Sequence, residues 1–278
     1  MALPLPTSLS PSKVSSFTDC ALAFRLSAID RLPEPPSAPA TKGTLVHATL
    51  ERLFCLAPPE RTLAAALTCF DEAIESLRLD PEFTGLELDA DAEAAFLDDA
   101  EQLVRRYFEL EDPTRVHPIG LELKMEVQLD DLHLRGIIDR LELDADGRLV
   151  VTDYKTGRVP GEQHERARLG GVQFYSYLCE RLFGQRPARV QLLYLSEPVA
   201  IIAEPTEQSA RGLERKVRAV WRAVARACER EDFRPRVSRL CDWCSFKAYC
   251  PSWGGDLDAL PNPHADGAEV AVALPAAG

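Results

Sequence analysis

The sequence predicts an α/β protein in which a mixed central sheet is flanked by helices. Three observations lead there. Apolar residues recur at helical spacing through residues 11–110, residues 121–154 break into strand-length segments that alternate or run apolar, and from residue 172 helix, strand and helix follow one another. At 278 residues the chain can hold one large domain or two small ones with a sizeable core.

Each element has a local reason. Ser10 before Pro11 is a capping residue followed by proline at the first helical position, so a helix starts there and runs through Val14, Phe17 and Cys20 to about Ile29. Prolines between Pro33 and Pro39 end it. Residues 43–54 form a second helix, with Leu45, Leu50, Leu53 and Phe54 on its apolar side, and two more follow at about 60–79 and 89–110. Residues 121–129, 132–143 and 148–154 read as strands, and Asp144-Ala145-Asp146-Gly147 supplies the hairpin turn between the last two. A loop rich in charge and glycine (157–171) precedes a helix at 172–183, a strand at 190–195 and a long helix at 206–230. A cysteine-rich knot occupies 241–250. Repeated Pro, Gly, Ala and Asp make 254–278 an expected disordered tail.

Composition narrows the function classes. With 46% hydrophobic and 27% charged residues, the chain reads as an ordinary globular protein. No run of about 18 apolar residues offers a membrane span, and the start lacks a basic region followed by an apolar core, so no membrane partner and a cytoplasmic address are expected. A net charge of −12 argues against a protein that coats nucleic acid by bulk electrostatics. The charge is uneven, however: residues 211–239 carry ten Arg and Lys against four acids, a local balance of +6, while 87–112 is strongly acidic. Eight cysteines without an export signal point to reduced thiols or metal ligands. Of these, Cys55, Cys69, Cys179 and Cys228 sit in apolar helical contexts and read as small core residues.

The hairpin carries the first chemistry. A turn centred on residues 145–147 puts Asp139 opposite Asp153, and strand alternation puts Lys155 on the same face as Asp153. Two adjacent carboxylates repel unless something positive lies between them, and oxygen ligands at this spacing suit Mg²⁺ or Mn²⁺. Lys155 would orient a water or neutralise charge on a phosphate. On spacing alone, an exposed hairpin end with an ordinary Asp–Lys pair explains the pattern equally well. His47, on the helical face opposite the apolar stripe, and Gln173 with Tyr177, one turn apart on a helix, are the other residues in question.

Together, Gly43-x-x-x-His47, Gly136-x-x-Asp139, Asp153-Tyr154-Lys155-Thr156-Gly157 and Gln173-x-x-x-Tyr177 resemble, in order, the motifs of the RecB-type branch of the PD-(D/E)xK nuclease superfamily. That branch includes nuclease domains of recombination helicase–nucleases and stand-alone CRISPR-associated exonucleases. The resemblance covers about residues 8–253. It implies one nuclease domain with a restriction-endonuclease-like core, made of a helical part at about 43–111 and a catalytic core at about 118–200. It implies further that His47, Asp139, Asp153 and the Tyr154 carbonyl bind metal, that Lys155 is catalytic, and that Gln173 and Tyr177 contact the DNA backbone or brace the lysine. Glu126 is a candidate for the edge of the site.

Cys241-x-x-Cys244-x5-Cys250 supplies three thiolates in one segment, and Cys20 is the candidate fourth. Four cysteines suit tetrahedral zinc or a 4Fe–4S cluster, and spacing does not separate them. One distant cysteine plus three near the other end resembles the iron–sulfur staple of several RecB-type nucleases, although Ala21 stands where the family continues with proline. Trp243, Phe246, Tyr249 and Trp253 would shield such a cluster. On the long helix, Arg211, Arg215, Arg218, Arg222, Arg226 and Arg230 form a stripe beside Leu213, Val217, Val220 and Val224. The stripe is either a solvated face or a phosphate track, with Arg215, Arg222 and Arg226 the residues singled out for DNA.

The expected activity is Mg²⁺- or Mn²⁺-dependent cleavage of DNA, exonucleolytic on single strands or DNA ends, in repair, recombination or CRISPR-type processing. The alternatives are a non-catalytic DNA-binding or scaffold module that keeps the fold and cluster, and a zinc-stapled nucleic-acid-binding protein. No G-x-x-x-x-G-K-[ST] loop is present, so a helicase would be a separate partner.

Overall fold

Helix α1 (Pro11–Asp19) opens as its sequence dictates: the Ser10 side chain accepts from the Lys13 N–H at 3.2 Å, and Pro11 takes the first helical position. The computed structural model describes residues 2–260, with residues 162–170 defined along the backbone only. The helix expected to reach Ile29 is interrupted at Cys20, whose extended backbone restarts it as α2 (Ala21–Phe24), followed by one π-helical turn (Arg25–Ile29). The described residues form two compact units, one of residues 36–125 and 136–210, the other of residues 2–35, 126–135 and 211–260.

In the larger unit, α3 (Ala38–Cys55) begins earlier than residue 43: Ser37 takes the N-cap position without a side-chain cap bond, and Pro39 fits the first turn. Its buried Leu45, Val46, Leu50, Leu53 and Phe54 pack with α4 (Leu63–Leu77) and α6 (Ala90–Leu110), which are capped by Thr62 and Asp89. A single turn, α5 (Pro81–Thr84), joins these two. Tyr154, Leu193 and Leu195 share that core, so the helical layer rests on the sheet.

The sheet holds β1 (Pro118–Leu129), β2 (Leu132–Leu143), β3 (Leu149–Lys155), β4 (Arg189–Tyr194) and β5 (Val199–Ala203), in that order. β2 and β3 are antiparallel from Leu143↔Leu149 to Arg140↔Thr152, the register that the hairpin turn predicts. β3 and β4 are parallel, from Val150↔Arg189 to Lys155↔Tyr194, joined by a crossover through α7 (Glu162–Phe183). β5 returns antiparallel on β4. The sheet is therefore mixed and flanked by helices, as the order of elements predicts. Two elements depart from expectation. The α7 backbone is helical from residue 162, where charge and glycine suggested a loop, and β5 is a short edge strand with Ile202 left exposed.

In the smaller unit, Leu9 bridges Leu134, its N–H donating to the His133 carbonyl at 2.8 Å while its carbonyl accepts from the Arg135 N–H at 2.9 Å. Helix α8 (Glu207–Arg230) buries Leu213, Val217, Trp221, Val224 and Cys228, so Trp221 takes the core position read for Val220. Its indole N–H donates to Asp131 at 2.9 Å. Short 3₁₀ turns follow at Arg239–Trp243, Lys247–Tyr249, Pro251–Trp253 and Leu257–Ala259. The expected tail beyond residue 260 lies outside the described residues. Among the described residues, no helix is long and apolar enough to cross a membrane.

Candidate metal centre

The β2–β3 ladder runs as far as Arg140↔Thr152, and there the Asp139 carboxylate takes over from the backbone. Its Oδ2 accepts from the Tyr154 N–H at 2.6 Å, so the side chain stands between the two strands. Helix α3 delivers His47 to the same place: Nδ1 lies 3.6 Å from Asp139 Oδ2 and 3.8 Å from Glu122 Oε1. The other ring nitrogen, Nε2, donates to the Tyr154 carbonyl at 3.2 Å. That bond turns Nδ1 towards the carboxylates. The Tyr154 carbonyl, expected as a ligand, accepts this bond with one of its two lone pairs and helps to fix the imidazole. Gly43, one turn before His47, lies where an added Cβ would be 3.3 Å from Thr156 Oγ1, which lets α3 approach the end of β3 closely.

His47, Glu122 and Asp139 each offer one ligand atom, all within 4.8 Å of one another. A cation with bonds of about 2.0–2.3 Å separates its ligand atoms by about 3–4.5 Å, so this group needs only slight closure to hold one. Two carboxylates and an imidazole suit Mn²⁺ or Mg²⁺, the imidazole favouring Mn²⁺. The electrostatics match a site built around positive charge. Burial, opposed by His47 and reinforced by Asp153 and Glu122, pushes the Asp139 carboxyl up to about 7. Burial alone would depress His47, yet Asp139, Glu122 and Asp153 together raise it to about 9.

Glu122 is the residue that sequence reasoning missed. Regular alternation puts Glu122, Lys124 and Glu126 on one face of β1 and gives no reason to prefer the first. In the structure Glu122 has φ +43°, a left-handed conformation inside a strand, which breaks the alternation and re-aims the side chain. Glu126, the residue pointed to, instead holds Arg135 at 2.7 Å and His133 at 3.3 Å.

Asp153 and Lys155 share a face of β3 and form an ion pair of 2.8 Å, both largely buried. On α7, Gln173 is half-buried, and Tyr177 is buried beneath the Arg181 guanidinium, 5.0 Å from its ring centre. Tyr175 is an α7 ring that meets the strand, at Gly136. A Cβ on Gly136 would fall 2.9 Å from Leu178 Cδ1 and 3.2 Å from Tyr175 Cε1, so any larger residue here would have to displace these side chains. Burial, then the charges of Asp153 and Asp139, hold the Tyr175 phenol well above its ordinary value.

The model of the PD-(D/E)XK nuclease superfamily matches residues 8–251. The chain belongs to this superfamily. A curated relative, the Gene 69 protein of Mycobacterium phage D29, is 28% identical over 180 residues, which make up 56% of this chain and 65% of that protein. This PD-(D/E)XK chain therefore spans somewhat under two thirds of that relative's length. Among solved structures, one from Eubacterium rectale described as a candidate exonuclease aligns over 86% of this chain and 87% of its own, at 13% identity and a TM-score of 0.55, which shows a shared fold.

Two further features of this PD-(D/E)XK protein lie in its smaller unit. Cys20, Cys241, Cys244 and Cys250 line one cavity of about 320 Å³, walled also by Leu22, Leu26, Phe246 and Trp253, and all four are free thiols. Backbone N–H groups donate to two of the sulfurs, Arg236 to Cys20 and Ser238 to Cys241, each at 3.4 Å. Burial raises the Cys244 thiol, and the other three cysteines add to that effect. On α8, Arg215, Arg222 and Arg226 are exposed. Arg218 leaves the basic stripe, because it is half-buried, bonded to Glu214 at 3.0 Å and paired with Asp130.

Proposed function

We propose that the chain is a divalent-metal-dependent deoxyribonuclease that hydrolyses phosphodiesters, working as an exonuclease on single strands or DNA ends. One observation carries the reading: in a chain of this superfamily, His47, Glu122 and Asp139 converge at a strand fork beside the buried Asp153–Lys155 pair. His47 through Nδ1, Glu122 and Asp139 are the proposed ligands, joined by Asp153 and the Tyr154 carbonyl, the two further ligands that the family motifs imply. The bound cation supplies Lewis acidity towards a phosphate oxygen and a more acidic water. The chain's own residues do the rest. The Tyr154 N–H holds the Asp139 carboxylate in place, and the Tyr154 carbonyl holds His47. Asp153 keeps the Lys155 ammonium at the centre, where it orients the attacking water and offsets charge gathering on the phosphate. Gln173 and Tyr177 are assigned to the DNA backbone or to bracing the lysine, and Arg215, Arg222 and Arg226 to a phosphate track.

We propose a 4Fe–4S cluster for the four cysteines. The two backbone N–H···S bonds and the apolar wall favour it. The cluster would tie residues 2–35 to residues 211–260, and its place in the reading is structural. The process served is assigned to repair, recombination or CRISPR-type processing, with any helicase a separate chain.

The test is Mn²⁺-dependent digestion of 5′- and 3′-labelled single-stranded, blunt and circular DNA. Progressive shortening of linear but not circular substrate supports the reading, and no cleavage of any substrate overturns it in favour of a DNA-binding module.

A further inference from the structure

Directly after Asp139 the chain buries an arginine completely: Arg140 has no exposed surface. Strand alternation turns it away from Asp139, onto the face of Thr152 and Tyr154. Both terminal nitrogens of its guanidinium are hydrogen-bonded, while Nε meets Glu142 as an ion pair without hydrogen-bond geometry. Nη1 donates to the Tyr154 hydroxyl at 2.8 Å and pairs with one oxygen of Glu111. Nη2 donates to the other Glu111 oxygen at 2.9 Å and to Thr152 Oγ1 at 3.2 Å. Nε pairs with Glu142 at 2.7 Å. The Phe54 ring lies 4.7 Å from the guanidinium carbon, and the Tyr107 hydroxyl donates to Glu111 at 2.6 Å.

Stability is a weak explanation for such a cluster. Desolvating a guanidinium and two carboxylates costs several kcal/mol per ion, and apolar replacements of buried ion pairs are often at least as stable. What the cluster does fix is Tyr154. The ring is held through its hydroxyl and packs edge-on against Tyr107, with centroids 5.9 Å apart. The peptide units on either side of that same residue donate to Asp139 and accept from His47.

We propose that Arg140 is a positioning residue of the metal centre. By clamping the Tyr154 hydroxyl it fixes the backbone N–H and carbonyl that aim Asp139 and His47 Nδ1. Glu111 and Tyr107 act through Arg140 in turn. The assignment rests on the metal-site reading above and goes beyond it, naming side chains that touch neither cation nor DNA.

The experiment titrates the full-length protein with Mn²⁺, following binding by calorimetry and the bound ion by electron paramagnetic resonance. Arg140→Lys keeps the charge but loses the fork. Tyr154→Phe removes a single oxygen and decides the matter if Arg140→Lys fails to fold. Phe83→Leu, a core change in the same unit, is the control for lost stability alone. Partners of metal ligands are worth about 10–100-fold in affinity, so Tyr154→Phe is expected to weaken Mn²⁺ binding at least about tenfold and to alter the bound-ion spectrum. Phe83→Leu is expected to lower the melting temperature with Mn²⁺ affinity unchanged. Wild-type affinity and spectrum in Tyr154→Phe, or an equal loss of affinity in Phe83→Leu, overturns the clamp while leaving the metal site standing. A wild-type protein that binds no Mn²⁺ overturns both.

Discussion

Raising the pH from 6 to 8 should tighten Mn²⁺ binding steeply, because the cation must displace protons from its ligands. Asp139 is pushed up to about 7 and His47 to about 9, both well above their ordinary ranges. At pH 6 both are mainly protonated, and a cation taking Asp139 Oδ2 and His47 Nδ1 displaces about two protons. At pH 8 Asp139 is already mainly ionised and about one proton is displaced. Treating the two as independent, the affinity rises about 10³-fold across the interval, about 4 kcal/mol. If only Asp139 were a ligand the rise would be about tenfold. Calorimetry in two buffers of different ionisation enthalpy counts the protons directly. An affinity that changes by less than tenfold, or binding that releases no protons at pH 6, excludes joint ligation by Asp139 and His47.

Other consequences are independent of that one. Without metal, the raised values of Asp139 and His47 stabilise the fold at low pH; the Asp139 share is lost as pH rises through about 7 and the His47 share through about 9. The metal-free melting temperature should therefore fall between pH 5 and 9, and Mn²⁺ should restore most of it at the upper end. Lys155→Ala should lower the cleavage rate at least about 10²-fold, as for loss of other charge-stabilising groups, with Mn²⁺ affinity retained; cleavage at the wild-type rate would remove Lys155 from the mechanism. Gly136→Ala drives a methyl into Leu178 and Tyr175 and should destabilise by about 1–3 kcal/mol in calorimetric melting. Reversing Arg215, Arg222 and Arg226 together should weaken DNA binding and flatten its salt dependence, while an unchanged slope returns the stripe to a solvated surface.

The order of helices, hairpin and crossover was legible in the sequence because capping, periodicity and turn chemistry are local. The hairpin register followed from the turn around Gly147 alone, and it brought Asp139 and Asp153 to neighbouring strands. Glu122 was not legible, since its direction depends on one left-handed residue within β1 and nothing in the residue types marks it. The engagement of the Tyr154 carbonyl by His47 depends likewise on how α3 meets β3. The early start of α7 was hidden by the glycines and charges of residues 162–171, which read locally as loop. Arg218 looked like part of the basic stripe because its acid partner Asp130 lies 88 residues away in sequence.

Anomalous diffraction at the manganese edge, from crystals of the protein equilibrated with Mn²⁺ at pH 8, would locate the bound cation. The predicted result is one strong peak bonded to His47 Nδ1, Glu122 and Asp139, beside the Asp153–Lys155 pair. Manganese bound elsewhere, with these three side chains unliganded, would contradict it.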